Sequence, residues 1–427
     1  MFCRSSLDRI FCTCEWCNQS YCPIHEREDT ILSNNRKYTE QNQRFHTRAA
    51  HSGFDSRSFH GFVNPPVVHA STVLFPDMAT LRRNGQQYTY GLTGTPTTAA
   101  LEAALNELEG SHGTVLVPSG LAAISLPLLT FLSAGDHLLV VDSVYFPTRR
   151  FCRSVLQRMM VEITYFDPSI STETFESHLR PNTKAVLLEA PGSNTFEMLD
   201  VAALSAAAHK AGAVVMMDNT WATPLYFRPL DHGVDVSIHA LTKYPAGHSD
   251  IMLGSVSTTA ECYGRLRETQ MAMGINAAPD DAYMTLRGLR TMPTRIERHE
   301  KSALQLAQWL ETHPRIAKVL HPALPSFEGH ELFKRQFSGS TGLFSIVLAG
   351  GGDVEGAAFV DALEIFGIGY SWGGFESLAL QVELSDRTVA VAPKEGPVIR
   401  LQIGLEDVED LQRDLELGFA ALDQLDG

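Results

Sequence analysis

Cysteine is scarce in most of this chain. Of seven cysteines, five (Cys3, Cys12, Cys14, Cys17 and Cys22) fall in the first 22 residues, which leaves Cys152 and Cys262 for the remaining four hundred. A body with two widely spaced cysteines reads as reduced and cytoplasmic, without a disulfide framework. Positive charge is also short. Lys plus Arg number 34 against 49 Asp plus Glu, a formal net charge of 34 − 49 = −15. That balance excludes nucleic acid and anionic membrane surfaces as main partners. Long apolar runs are missing too. The most apolar stretch, Leu121 to Leu132, contains Pro127 and is far short of the roughly 20 residues that span a bilayer. The first residues lack the long apolar centre of a signal peptide.

The 427 residues, 44% of them hydrophobic, suit a globular protein with a large core. In the head, residues 1–36, Cys14-x2-Cys17-x4-Cys22-x2-His25 has the look of a compact zinc-ligand set. The ligands crowd together with no second apolar cluster beside them, so the preferred reading is an irregular extension without metal. Residues 37–95 read as an extended arm, polar and loop-rich, with Asn64-Pro65-Pro66 and no sustained helical period. Such an arm suits contact with a neighbouring subunit.

From Thr97 apolar strands and helices alternate. Thr97-Thr98 is expected to cap a helix that ends at Gly110. Strands are predicted at Gly113–Val117, His137–Val141, Val161–Phe166, Lys184–Glu189, Ala213–Met217, Val234–Ile238 and Ile251–Val256. Helices are predicted at Gly120–Leu132, Thr148–Met160 and near Val201–Lys210. Continuous apolar strands between helices imply an α/β fold with a mostly parallel sheet covered on both faces. That unit spans 96–290. Residues 291–427 read as a smaller α+β domain, with a long helix from about Pro293 to Glu311 and strands at Leu343–Leu348 and Val398–Ile403.

Several chemically distinctive residues fall at strand ends, where open α/β sheets bind ligands. Asp218 closes an apolar run, and Thr242-Lys243 follow another. A lysine and an acid so placed suggest a Schiff base to pyridoxal phosphate at Lys243 and a carboxylate at Asp218 that keeps the pyridine nitrogen protonated. Ser119-Gly120-Leu121 offers backbone N–H groups at a helix start, which suits a phosphate, and Thr242 can add a hydroxyl. Tyr145 is placed to stack on the ring. Arg400 has the fork geometry for a substrate carboxylate. Each residue alone has an ordinary structural explanation; their joint order carries the case.

Asp218-Asn-Thr-Trp-Ala222, followed by Asp235-Val-Ser-Ile-His-Ala-Leu-Thr-Lys-Tyr244, resembles the transsulfuration family of pyridoxal-phosphate enzymes. The likeness runs from about Thr47 to Leu422 and includes Gly247-His-Ser-Asp250, Arg287-Gly-Leu-Arg-Thr291, Ser371-Trp-Gly-Gly-Phe-Glu-Ser377 and Ile399-Arg-Leu-Gln-Ile-Gly-Leu-Glu-Asp407. It implies a type I aminotransferase-like fold and a homotetramer, a dimer of dimers, whose sites are completed by a neighbour's arm. It also implies the site. Lys243 and Tyr145 would be catalytic. Lys243, Asp218, Tyr145, Gly120, Leu121, Thr242 and a neighbour's Tyr90 would hold the cofactor. Arg400, Ser371, Trp372 and Tyr90 would meet an amino-acid substrate.

Ala190-Pro-Gly-Ser-Asn194 and Ser371-Trp372-Gly-Gly374 look like the versions in members that act at Cβ. The implied activity is carbon–sulfur β-elimination on L-cystathionine, giving L-homocysteine, pyruvate and ammonia for methionine biosynthesis. A γ-acting relative is the alternative, and a non-catalytic regulator on the same fold a further one. Two positions depart from the family pattern: Leu92 stands where an arginine is common, and Met271 where β-acting members carry a tyrosine.

Overall fold

A computed structural model describes residues 43–53 and 55–425. The cysteine-rich head, with its zinc-like Cys14, Cys17, Cys22 and His25, lies outside these described residues. From Arg44 onward the chain forms one compact unit.

The larger sheet has seven strands: β1 (Gly113–Val117), β2 (His137–Val141), β3 (Glu162–Phe166), β4 (Thr183–Glu189), β5 (Val214–Asp218), β6 (Val236–His239) and β7 (Gly254–Thr258). Their order is β1-β7-β6-β5-β4-β2-β3. The pairs from β3 through β2, β4 and β5 to β6 are parallel, whereas β7 runs antiparallel to both β6 and β1. The central strands are apolar without alternation because helices cover both faces; Leu138-Leu139-Val140-Val141 is wholly buried. A second sheet of five strands contains β8 (Ile316–Leu320), β9 (Leu343–Leu348), β10 (Gly367–Ile368), β11 (Leu378–Val382) and β12 (Val398–Gln402), in the order β10-β11-β12-β9-β8. Its core packs under the helices Met292–Leu310 and Val408–Leu425 through Leu306, Leu310, Phe344, Ile399, Leu411 and Leu415.

Three local expectations shift. The cap of the helix Pro96–Glu109 is Thr95, not Thr97-Thr98, because Pro96 takes the first helical position, where its missing N–H costs nothing. Thr97 is instead committed to the arm: its hydroxyl accepts from the Val68 N–H at 2.9 Å and donates to the Pro66 carbonyl at 2.7 Å. The helix expected over 148–160 begins earlier, at Phe146, and from Cys152 continues as a π turn and then a 3-10 turn. Strand β7 starts at Gly254 because Ile251 and Leu253 are drawn into the apolar cluster beneath the helix Pro96–Glu109.

The arm contains two short helices, Phe45–His51 and Met78–Arg82, which its polar composition hid. Between them large apolar side chains face outward; Phe62 is 71% and Leu74 85% exposed.

Candidate active site

Lys243 lies one turn beyond β6, and its position follows from a close approach. Gly373 has φ of 81°, and a Cβ there would sit 2.9 Å from the Tyr244 nitrogen and 3.2 Å from the Lys243 Cα. Only glycine lets the segment before β11 lie flat against the lysine backbone. That segment delivers Ser371 and Trp372. The Lys243 ammonium donates to Ser371 Oγ at 2.7 Å and stands 5.3 Å from the centre of the Trp372 ring. Burial, then the nearby Arg400 charge, lowers the Lys243 pKa to about 8, with Asp218 opposing. Close to a tenth of such an amine is neutral at pH 7, against about one part in 10³ for an ordinary lysine.

Asp218 ends β5 and pairs in register with Glu189, which ends β4. Asp218 Oδ1 accepts from the Thr220 N–H at 2.9 Å, an Asx turn that aims the carboxylate off the strand end. Burial raises its pKa, against the Thr220 hydrogen bonds and the charges of His239 and Lys243. Glu189 is raised further, by burial and then by Asp218 itself. Glu189 Oε2 accepts from the Tyr145 N–H at 2.8 Å, which ties the tyrosine to the same strand ends. The Tyr145 phenol is also raised, by burial and then by Asp218 and Glu189. It is therefore an O–H donor at neutral pH.

The helix Gly120–Phe131 opens at the edge of this cluster. Ser119 is its cap and accepts from the Ala122 N–H at 3.1 Å. This leaves the N–H groups of Gly120 and Leu121 pointing out of the first turn. Gly120 is required by proximity: a Cβ would come 2.6 Å from that of Ala240, just after β6. The Thr242 hydroxyl is paired both ways with Leu253, donating to its carbonyl at 3.2 Å and accepting from its N–H at 3.1 Å.

Arg400 sits mid-strand in β12, opposite Ser345 of β9. Its Nη2 donates to the carbonyls of Tyr370 at 2.7 Å and Ser371 at 3.4 Å, and its Nη1 to Asn194 Oδ1 at 3.4 Å. Burial brings its pKa down to about 10, which still leaves it charged. These acceptors are neutral, so among the described residues no carboxylate balances the guanidinium in a hydrogen bond. An amino-acid carboxylate suits that vacancy of charge.

The structure thus gathers Lys243, Asp218 and Tyr145 from strand ends of the larger sheet, and Ser371, Trp372 and Arg400 from the segment before β11 and the middle of β12, with Gly120, Leu121 and Thr242 on the surrounding turns. It does not bring Tyr90 to them. Tyr90 is half exposed on the arm, where its backbone bridges Thr72. Leu92 lines a small cavity with Glu102 and Arg267, and Arg267 donates to the Thr93 carbonyl. Sequence reasoning missed Glu189, and it took Asn194 only as the end of the Ala190–Asn194 motif, not as a partner of Arg400. Glu189 was legible as the polar end of a strand beside Asp218; the Asn194 contact with Arg400 was not, because the two residues are 206 apart.

The arrangement fits pyridoxal phosphate. A nucleophilic amine with a lowered pKa, two adjacent carboxyl groups raised by burial, and free N–H groups at a helix start match an aldehyde, a pyridinium and a phosphate. Comparison with known proteins agrees. Residues 46–420 match the family of Cys/Met metabolism PLP-dependent enzymes, and the chain belongs to that family. A Rhizobium johnstonii protein, provisionally named a cystathionine β-lyase, is 62% identical over 89% of this chain and 97% of its own. The cystathionine β-lyase of Escherichia coli is 43% identical over 88% of this chain and 98% of its own. Among solved structures, cystathionine γ-synthase from Xanthomonas oryzae in complex with cystathionine superposes with a TM-score of 0.84 at 34% identity, covering 90% of this chain and 99% of that one.

Proposed function

We propose that this chain is a carbon–sulfur lyase that cleaves L-cystathionine at Cβ to L-homocysteine, pyruvate and ammonia, within methionine biosynthesis. The observation that carries the reading is the buried Lys243 amine, lowered to about 8 and set between Ser371, Trp372 and Arg400. Membership of the pyridoxal-phosphate family and relatives bearing the β-lyase name support it.

Bound pyridoxal phosphate supplies a ring that draws electrons from the substrate Cα. Lys243 is its covalent anchor. Asp218 would pair with the ring nitrogen, Tyr145 would stack on the ring, and the N–H groups of Gly120 and Leu121 would hold the phosphate. Thr242 would serve the phosphate by giving up its Leu253 partner. Arg400 receives the substrate carboxylate and so orients Cα toward Lys243. The Lys243 amine, when free, would be the base for the Cα proton, and Ser371 Oγ, 2.7 Å away, would keep that amine in place. Trp372 closes one side of the site against water.

The arm, residues 37–95, reaches a neighbouring subunit of a cytoplasmic homotetramer, where Tyr90 completes the partner's site. The cofactor domain is residues 96–290 and the C-terminal domain 291–427.

Purified protein with L-cystathionine should release pyruvate and homocysteine, and Lys243→Ala should lose at least about 10³-fold in rate. Formation of 2-oxobutyrate and cysteine would overturn the β assignment in favour of a γ-acting enzyme.

A further inference from the structure

The turn Pro191–Glu197 leaves β4 and carries two non-glycine residues in the left-handed region, Asn194 at φ 64° and Phe196 at φ 63°. Such backbone persists only where surroundings impose it. Beside backbone hydrogen bonds such as Ser193 N–H to the Ser143 carbonyl, the turn is held by Arg387, in the segment between β11 and β12, whose side chain is 5% exposed. Its Nη1 pairs with Glu197 Oε1 at 2.6 Å. Its Nη2 donates to the Ser193 carbonyl at 3.1 Å and to Thr195 Oγ1. Thr195 Oγ1 in turn donates to Glu197 Oε2 at 2.7 Å. One guanidinium therefore grips the turn on both sides of Asn194.

Asn194 is the residue through which that grip reaches the site. Its carbonyl accepts from Ser345 Oγ at 2.7 Å, and its Oδ1 accepts from Arg400 Nη1. The other two acceptors of Arg400, the carbonyls of Tyr370 and Ser371, lie together in the segment before Gly373. Asn194 is the opposing contact that stops the fork from turning wholly toward them. The segment bearing Arg387 is itself secured. Asp142, just past β2, accepts from the N–H groups of Thr388, Val389 and Ala390 at 2.9, 2.7 and 2.6 Å. Arg149 joins Asp142 to Asp386. Burial alone would raise the Asp142 carboxyl, but these donors outweigh it and hold it below its ordinary value.

We propose that Arg387 is a positioning residue: it locks the Pro191–Glu197 turn so that Asn194 sets the orientation of Arg400 for the substrate carboxylate. The inference rests on the reading of Arg400 given above. An isolated Arg–Glu pair would serve stability alone; this one spans the two residues that flank the Arg400 contact.

The test is steady-state kinetics of holoenzyme on L-cystathionine for Arg387→Ala, Arg387→Lys, Asn194→Gly, the Arg387→Ala/Asn194→Gly double variant and Arg400→Ala. Glycine at 194 keeps the left-handed backbone and removes only the side chain. Arg387→Ala should raise KM about tenfold, the scale of one lost charge-assisted hydrogen bond, with kcat within about threefold of the parent. Arg387→Lys keeps a charge for Glu197 but cannot bridge Ser193 and Thr195, so its KM should fall between. The double variant should be no worse than the larger single, since both act along one path. An unchanged KM in Arg387→Ala, or effects that multiply in the double variant, would overturn the proposal. If Arg387→Ala does not accumulate as folded holoenzyme, Arg387→Lys alone and combined with Asn194→Gly decide by the same criteria. Arg400→Ala separates the two levels. A raised KM there with none in the Arg387 variants defeats only the positioning role, whereas an unchanged KM defeats the carboxylate reading and the proposal with it.

Discussion

At the scale of single residues, the site depends on one side chain whose pKa is lowered toward neutral pH and one missing side chain. Lys243 is lowered chiefly by burial, so its capture of cofactor has a defined pH dependence. A lysine with a depressed pKa gains reactivity as pH rises and then levels off above that pKa. Recombination of cofactor-free protein with pyridoxal phosphate, followed by absorbance, should accelerate up to about pH 8 and flatten beyond it. A rate still climbing steeply at pH 10 would contradict the burial argument. The missing side chain is at Gly373. Gly373→Ala forces a Cβ toward the Tyr244 nitrogen at a φ of 81°, which should cost about 1–2 kcal/mol. Moving Ser371 and Trp372 off Lys243 should also lower kcat. Thermal denaturation and kinetics together check both parts; an alanine variant with parental melting and turnover would remove Gly373 from the argument.

At the scale of elements, the helix Gly120–Phe131 shows how a local rule serves chemistry. Its cap, Ser119, pairs with the Ala122 N–H and so leaves Gly120 and Leu121 as outward donors. Ser119→Ala should cost about 1 kcal/mol of stability. It should also weaken cofactor retention during dialysis, because the first turn frays where the phosphate is held; unaltered retention would place the phosphate elsewhere. Strand ends were the legible part of this architecture. Continuous apolar runs such as Leu138–Val141 announce buried strands, and the residue after each run is displayed at the sheet edge. Elements without such contrast were overlooked. The helix Ala260–Ala272 is polar over most of its length and buries only Cys262, Leu266 and Gln270. The helix Pro279–Leu289 and strand β11 were likewise missed; β11 buries only Ala379 among its five residues and so shows no apolar alternation.

At the scale of the whole molecule, the outward-facing Phe62, Leu74 and Tyr90 of the arm are the features that a neighbouring subunit would explain. The proposed sharing of sites has a direct consequence. Tyr90→Ala and Lys243→Ala proteins, each inactive or nearly so, should regain activity when unfolded, mixed in equal amounts and refolded. Random pairing gives one intact site in four, about a quarter of the parental rate. No recovery would mean that each chain supplies its own tyrosine.

What the sequence determined by itself was the chemistry. Asp218, Lys243 and Arg400 stand in or just beyond strands whose apolar runs are local in origin, so their placement along those strands follows from short-range physics. What the tertiary structure alone decided was which of them meet, and with whom. Ser371 reaches Lys243 across 128 residues, Arg387 reaches Glu197 across 190, and Asn194 reaches Arg400 across 206. Such contacts arise from docking the smaller sheet against the ends of the larger one, driven by burial of apolar surface that carries no direction. The register of that docking, and with it the position of the carboxylate fork, exists only in the folded molecule.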